Sequence, residues 1–147
     1  MNPNTAYTSY KTANVNTTDQ GRLIIICYDV AIKSCVQAKE LMEQKKPVEK
    51  AKKLYKAQDA ITELMIALNM EKGGAFAKRL FSLYDYFNWR LSEANVKQST
   101  AMIDEVLRHL KSLREAWLVA IEKVRKEKAP SLAVAEGTLQ PALRLVG

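Results

Sequence analysis

The stretch Asn69-Met70-Glu71-Lys72-Gly73-Gly74 decides the fold of this 147-residue chain. On either side of it, apolar residues recur every three to four positions, so two amphipathic helices meet across a glycine pair. Glycine accepts the left-handed conformation found at helix ends, which predicts that the second helix of the chain stops there. A third helix then runs from about Ala75 to Asn95. At about 100° per residue, Phe76, Leu80, Leu83, Tyr84, Phe87, Leu91 and Ala94 share one face of it. Trp89 projects nearly opposite that face, and Phe81 and Tyr86 flank it, each well off the centre of the stripe.

Working outward, the first helix is predicted from near Thr17 to about Gln44. Thr17 and Gln20 have capping-box spacing, and Asp19 suits the positive end of the helix dipole. Its stripe is Leu23, Ile26, Cys27, Val30, Val36, Leu41 and Met42. Ile24, Ile25, Tyr28 and Ile32 widen that stripe beyond one face, as in a helix central to a bundle or one offering a second groove. Gly21 weakens the first turn by up to about 1 kcal/mol relative to Ala, and is expected to loosen the hinge to the residues before it.

Pro47 fits the first turn of the second helix, where a missing N–H costs little. Leu54, Ala57, Ile61, Leu64, Met65 and Leu68 form its stripe, with Lys50, Lys52, Lys53 and Lys56 expected on the opposite face. A fourth helix begins near Ser99 and stops before Pro130, with Ile103, Val106, Leu107, Leu110, Leu113, Trp117, Ile121 and Val124 inward. Four helices joined by short connections predict an all-α, antiparallel four-helix bundle over residues 17–128. Residues 1–16 read as an extended N-terminal arm whose aromatic residues dock on something, and residues 129–147 as a flexible C-terminal tail.

Composition narrows the function classes. A domain of about 150 residues buries roughly 70% of its unfolded surface, so neither disulfide nor metal is needed to hold it. Cys27 and Cys35 lie eight residues apart on one helix, roughly 12 Å, which is too far for a mutual disulfide. The net charge of +7 can attract nucleic acid, acidic lipid or acidic protein. The lysines are mixed with glutamates and no nucleic-acid motif accompanies them, so a solvated surface is the preferred reading. The apolar run Leu23 to Tyr28 is too short to span a bilayer, and the first ten residues carry no apolar signal segment. The expectation is a reduced, cytoplasmic protein without stable membrane insertion.

Nothing in the pattern supports catalysis. His109 is the single histidine; no Glu-x-x-His pair, zinc-spaced Cys/His cluster or phosphate loop is present. Cys27 sits in an aliphatic run that keeps a thiol neutral. The sequence therefore implies no enzyme, no cofactor and no metal, and leaves binding. For Trp89 two readings stand side by side: packing under the arm or tail, or anchoring a partner.

Several motifs in order add a family resemblance. The arm Asn4-Thr5-Ala6-Tyr7-Thr8-Ser9-Tyr10, the segment ending Cys27-Tyr28-Asp29, and Lys56-Ala57-Gln58-Asp59 with Glu63-Leu64 are joined by three further runs. These are Glu71-Lys72-Gly73-Gly74, Leu83-Tyr84-Asp85-Tyr86 and Leu113-Arg114-Glu115-Ala116-Trp117. Over about residues 3 to 121 the chain resembles the FliS-type flagellar export chaperones. A departure is Asp19-Gln20-Gly21, where that family usually has a Ser-Pro helix start.

The resemblance implies a helical bundle that holds the disordered C-terminal segment of flagellin, prevents premature polymerisation and delivers flagellin to the type III export gate. It also implies that Tyr7 and Tyr10 belong to an arm covering part of the apolar groove. Helical phase adds Val15, Ile24, Phe81, Tyr86 and Trp89 as expected groove residues. A basic nucleic-acid binder and a purely structural bundle are the alternatives, and a homodimer is left open. The tail ending Pro141-Ala142-Leu143-Arg144-Leu145-Val146-Gly147 is modestly similar to a flagellin C-terminus. It reads either as a plug of the groove or as a frayed end.

Overall fold

The structure, a computed structural model, describes residues 17–128. They form four helices: α1 (Thr17–Glu43), α2 (Pro47–Ala67), α3 (Met70–Lys97) and α4 (Thr100–Lys128). α1 packs on α2 and α4, and α3 packs on the same two, so the helices close into a four-membered ring. Cross-helix bonds give the directions. Gln58 Nε2 of α2 donates to the Asn88 carbonyl of α3 at 2.8 Å, and Lys50 Nζ donates to the Asn95 carbonyl at 3.1 Å. Lys39 pairs with Asp104, and Asp29 with Arg114, between α1 and α4. Higher numbers on one helix meet lower numbers on the next, so neighbours are antiparallel, as short connections require.

The turns are built by helix-end geometry. After α1, Lys45 takes φ 59° and the Lys46 amide reaches back to the Leu41 carbonyl at 2.9 Å. After α3, Gln98 takes φ 55° and the Ser99 amide reaches the Ala94 carbonyl at 3.1 Å. Both are Schellman-type ends that satisfy orphan carbonyls, and here non-glycine residues carry the left-handed position. Ser99 Oγ then accepts from the Met102 amide at 3.2 Å and caps α4.

The glycine pair has a different role from the one its sequence predicts. α2 ends at Ala67, before the glycines, and Leu68 is extended (φ −67°, ψ 133°). Asn69 Oδ1 accepts from the Lys72 amide at 2.9 Å and starts α3 there. Gly74 then interrupts the helical path with φ 56° and ψ −137°. The chain reverses at Leu68–Asn69 because Asn69 caps the next helix, and the glycine kinks that helix's first turns. A Cβ at Gly74 would meet nothing within 4 Å, so the need for glycine is conformational, not steric.

The core is continuous along the ring. Tyr28, Leu54, Ile61, Tyr84, Phe87, Leu91, Ile103 and Leu110 are among its fully buried side chains. Burying one such residue contributes about 1.5–3 kcal/mol. Across the diagonal, the Tyr28 and Tyr84 hydroxyls meet at 2.5 Å, giving each buried phenol a partner. Burial pushes both phenols up, Tyr84 to about 12, and both stay neutral.

Five residues depart from the sequence reading for reasons of phase or position, and one of them, Val36, expected on the α1 stripe, is exposed. Ile24 is 3% exposed and lies on the same stripe as Tyr28, Ala31 and Cys35, whereas Ile26 and Val30 are only partly buried. Lys50, expected among the solvent-facing lysines, is 2% exposed, because it lies four residues before Leu54 on the core stripe. Phe76, expected in the core, is 52% exposed beside the Gly74 kink, and Ala77 takes the buried position. Gly21 marks a close approach of α1 and α4: a Cβ there would lie 3.2 Å from the Ile121 side chain.

Candidate partner-binding surface

The outward half of α3 carries most of the aromatic residues, among those described, that the core does not use. Four aromatics fall between Tyr84 and Trp89. Tyr84 and Phe87 point inward, while Tyr86 and Trp89 point outward. Trp89 is 54% exposed, and its ring lies 5.9 Å from that of Tyr86 at an interplanar angle of 36°. Phe81 is also exposed on this helix. An aromatic pair held against itself in solvent has already lost part of its rotamer freedom, which favours its use as an anchor.

Tyr86 is fixed from the α4 side. Its hydroxyl donates to Glu105 Oε2 at 2.5 Å, and Arg90 pairs with Glu105 Oε1 at 3.0 Å. The Tyr86 hydrogen bond and then the Arg90 charge hold the Glu105 carboxyl below its ordinary value. That same hydrogen bond raises the Tyr86 phenol. His109, one turn further along α4, stacks on Phe87 with centroids 5.8 Å apart, an aromatic packing role.

On the other flank lies the α2–α3 seam. Gln58 Nε2 donates to Ser92 Oγ at 2.8 Å and Asn88 Nδ2 donates to Thr62 Oγ1 at 3.1 Å, setting the register. Beside these polar contacts on the helical wheel stand exposed apolar residues: Tyr55 and Ile66 on α2, and Phe81, Trp89 and Val96 on α3. Asn88 Oδ1 is buried in the seam without a hydrogen-bond partner. The result is a strip of apolar side chains along two antiparallel helices, with a polar floor between them. Such a strip fits the apolar face of a partner helix.

Of the seven residues expected from sequence to line a groove, Phe81, Tyr86 and Trp89 share this outer surface of α3. Ile24 is in the core on α1, away from that surface. Tyr7, Tyr10 and Val15 lie outside the described residues, as does the tail. Sequence reading missed Tyr55, Ile66 and Val96. Their signal was available: each is a large apolar residue off its helix's stripe.

No group of His, Cys, Asp or Glu among the described residues could hold a metal ion. Cys27 and Cys35 are buried, and burial pushes the Cys35 thiol up to about 12, far from a reactive thiolate. No helix among the described residues is long and apolar enough to cross a membrane.

Comparison with known proteins places this surface in a family context. The family described as flagellar protein FliS matches residues 3–124. The flagellar secretion chaperone FliS of Bacillus subtilis is 33% identical over 129 residues, covering 88% of this chain and 96% of that protein. The flagellar secretion chaperone FliS of Salmonella typhimurium is 38% identical over 97 residues, covering 65% and 72%. The flagellar secretion chaperone FliSB of Pseudomonas aeruginosa is 34% identical over 105 residues, covering 71% and 83%.

Proposed function

The chain belongs to the FliS family of flagellar proteins, and on that premise we propose that it binds the disordered C-terminal segment of flagellin along the outer surface of α2 and α3. It is a flagellar export chaperone and not an enzyme. Its partner on this reading is a segment that becomes helical only when ordered. The segment would lay its apolar face over Phe81, Trp89 and Ile66, with the Tyr86 ring closing one side. Hiding that face keeps flagellin from polymerising early in the cytosol and holds it ready for the export gate. The ordering cost of the segment keeps the complex reversible despite a large contact area.

The observation that supports the reading is the exposed Tyr86–Trp89 pair, rigidly held and flanked by further apolar side chains. Tyr7, Tyr10 and Val15 enter as arm residues that cover or complete this apolar surface. Ile24 enters only if α1 or what lies over it moves. Calorimetric titration with the flagellin C-terminal segment tests the proposal. Salt-tolerant one-to-one binding with a negative heat-capacity change is expected, weakened at least about tenfold by Trp89→Ala. Binding that collapses with salt would favour a polyanion binder instead. Absence of binding would leave the structural bundle.

A further inference from the structure

The densest run of like charge lies at one end of the bundle, where it includes Tyr55 of the apolar strip. Between Lys45 and Lys56 the sequence has six lysines and one glutamate, Glu49. The lysines therefore do form a block at this point, contrary to the mixed pattern read from composition. None of the six makes an ion pair with another described residue, whereas Lys39, Arg90, Lys97, Arg114 and Arg125 all do. A cleft of about 590 Å³ opens at this end of the bundle, between the α1–α2 and α3–α4 turns. Lys45, Lys46 and Lys50 line it together with Glu43, Gln98 and Thr100.

Lys50 is the unusual member. Its side chain is buried, yet its ammonium meets only the Asn95 carbonyl, at 3.1 Å. A carbonyl at the end of α3 offers a partial charge, while a buried ammonium ordinarily has a carboxylate. No carboxylate among the described residues lies within ion-pair distance of it. Lys46, at the N-cap of α2, has no capping side-chain bond, so the first-turn amides of α2 also lack a side-chain acceptor. The cleft thus gathers Lys45, Lys46 and an uncapped helix start around the Lys50 ammonium, with Glu43 the single carboxylate of its lining and paired with none of the three lysines.

We propose that this cleft and the adjoining first half of α2 dock an acidic peptide segment of a partner protein, one carboxylate entering the cleft toward Lys50 and others pairing with the lysines along α2. A flat anionic surface touches the rim lysines but does not enter the cleft. A flexible chain with several carboxylates does both. Exposed Val48 beside the cleft adds a contact for an apolar residue between the acids. The flagellin contacts proposed above, Phe81, Trp89, Ile66 and Tyr86, are not among the residues of this site.

Fluorescence anisotropy of the full-length protein with a labelled octapeptide of Glu and two Leu tests this. Saturable binding is expected, weakening about tenfold or more between about 50 and about 300 mM salt. Lys46→Ser with Lys53→Ser should weaken it at least about tenfold. Removing the same charge from α4, Lys123→Ser with Lys126→Ser, should leave it within about twofold. Lys50→Met should abolish the peptide's preference for carboxylate over its Gln counterpart, with a melting curve to check the fold. Equal weakening by both double variants would overturn the proposal in favour of net charge alone. So would anionic vesicles or an oligonucleotide binding more tightly than the peptide without being displaced by it.

Discussion

The two faces of α3 use the same kind of residue for opposite ends. Inward, Tyr84 and Phe87 are fully buried, and the Tyr84 hydroxyl meets Tyr28 across the bundle. Outward, Tyr86 and Trp89 hold each other in solvent, and the Tyr86 hydroxyl meets a surface carboxylate. All four fall within six consecutive residues. Aromatic content therefore says nothing about role here, and helical phase says almost everything. Inner aromatics should govern stability and outer ones binding.

The largest expected effect is on the inner face. Phe87→Ala removes a buried ring that also supports His109, and should cost about 3–5 kcal/mol in denaturant unfolding. A kink test comes next: Gly74→Ala places a side chain at φ 56° and should cost about 1–3 kcal/mol, although nothing crowds the site. Third is Tyr28→Phe, which removes one of the two partners of the buried Tyr84 hydroxyl and leaves it Trp117, and should cost about 1 kcal/mol. The double change Tyr28→Phe with Tyr84→Phe should not recover that loss, because it leaves the buried Trp117 Nε1–H without either hydroxyl as acceptor.

Alkaline titration probes the inner pair without mutation, the exposed Tyr86 phenol, also raised, adding in the same direction. The folded Tyr84 phenol is raised by burial from 10 to about 12, so its contribution to stability is complete below pH 10. That contribution is lost as pH rises from 10 toward 12, because the unfolded chain then ionises first. A urea midpoint that falls steeply across this window is the expected result. The smallest stability effect belongs to the outer face. Trp89→Ala should shift unfolding by no more than about 0.5 kcal/mol while weakening flagellin binding. A large stability loss there would erase the contrast between the faces.

Much of this architecture is readable from the chain, because four long stripes at helical spacing admit few arrangements. The buried residues of α4 follow their predicted stripe from Ile103 to Val124. What was harder to read depends on competition between local signals. Gly73-Gly74 outranks Asn69 as a helix breaker by composition, yet the Asn69 cap bond sets where α3 begins. Lys50 looks like its neighbours Lys52 and Lys53 by type, and only its four-residue spacing from Leu54 reveals the inward position. Gly21 reads as a weak first turn, but its lack of a side chain lets α1 approach Ile121. The outer strip was half legible: Trp89 stands out, while Ile66 and Tyr55 need the α2–α3 register, which no single helix supplies.

The most direct test uses a property of the intact protein. It has two tryptophans, and Trp117 is 8% exposed against 54% for Trp89, so the quencher-accessible emission comes from Trp89. Acrylamide quenching should be measured while the flagellin C-terminal segment is titrated in. The accessible component should disappear and the emission should shift to shorter wavelength in step with binding. Saturating binding that leaves Trp89 as accessible as before would contradict it.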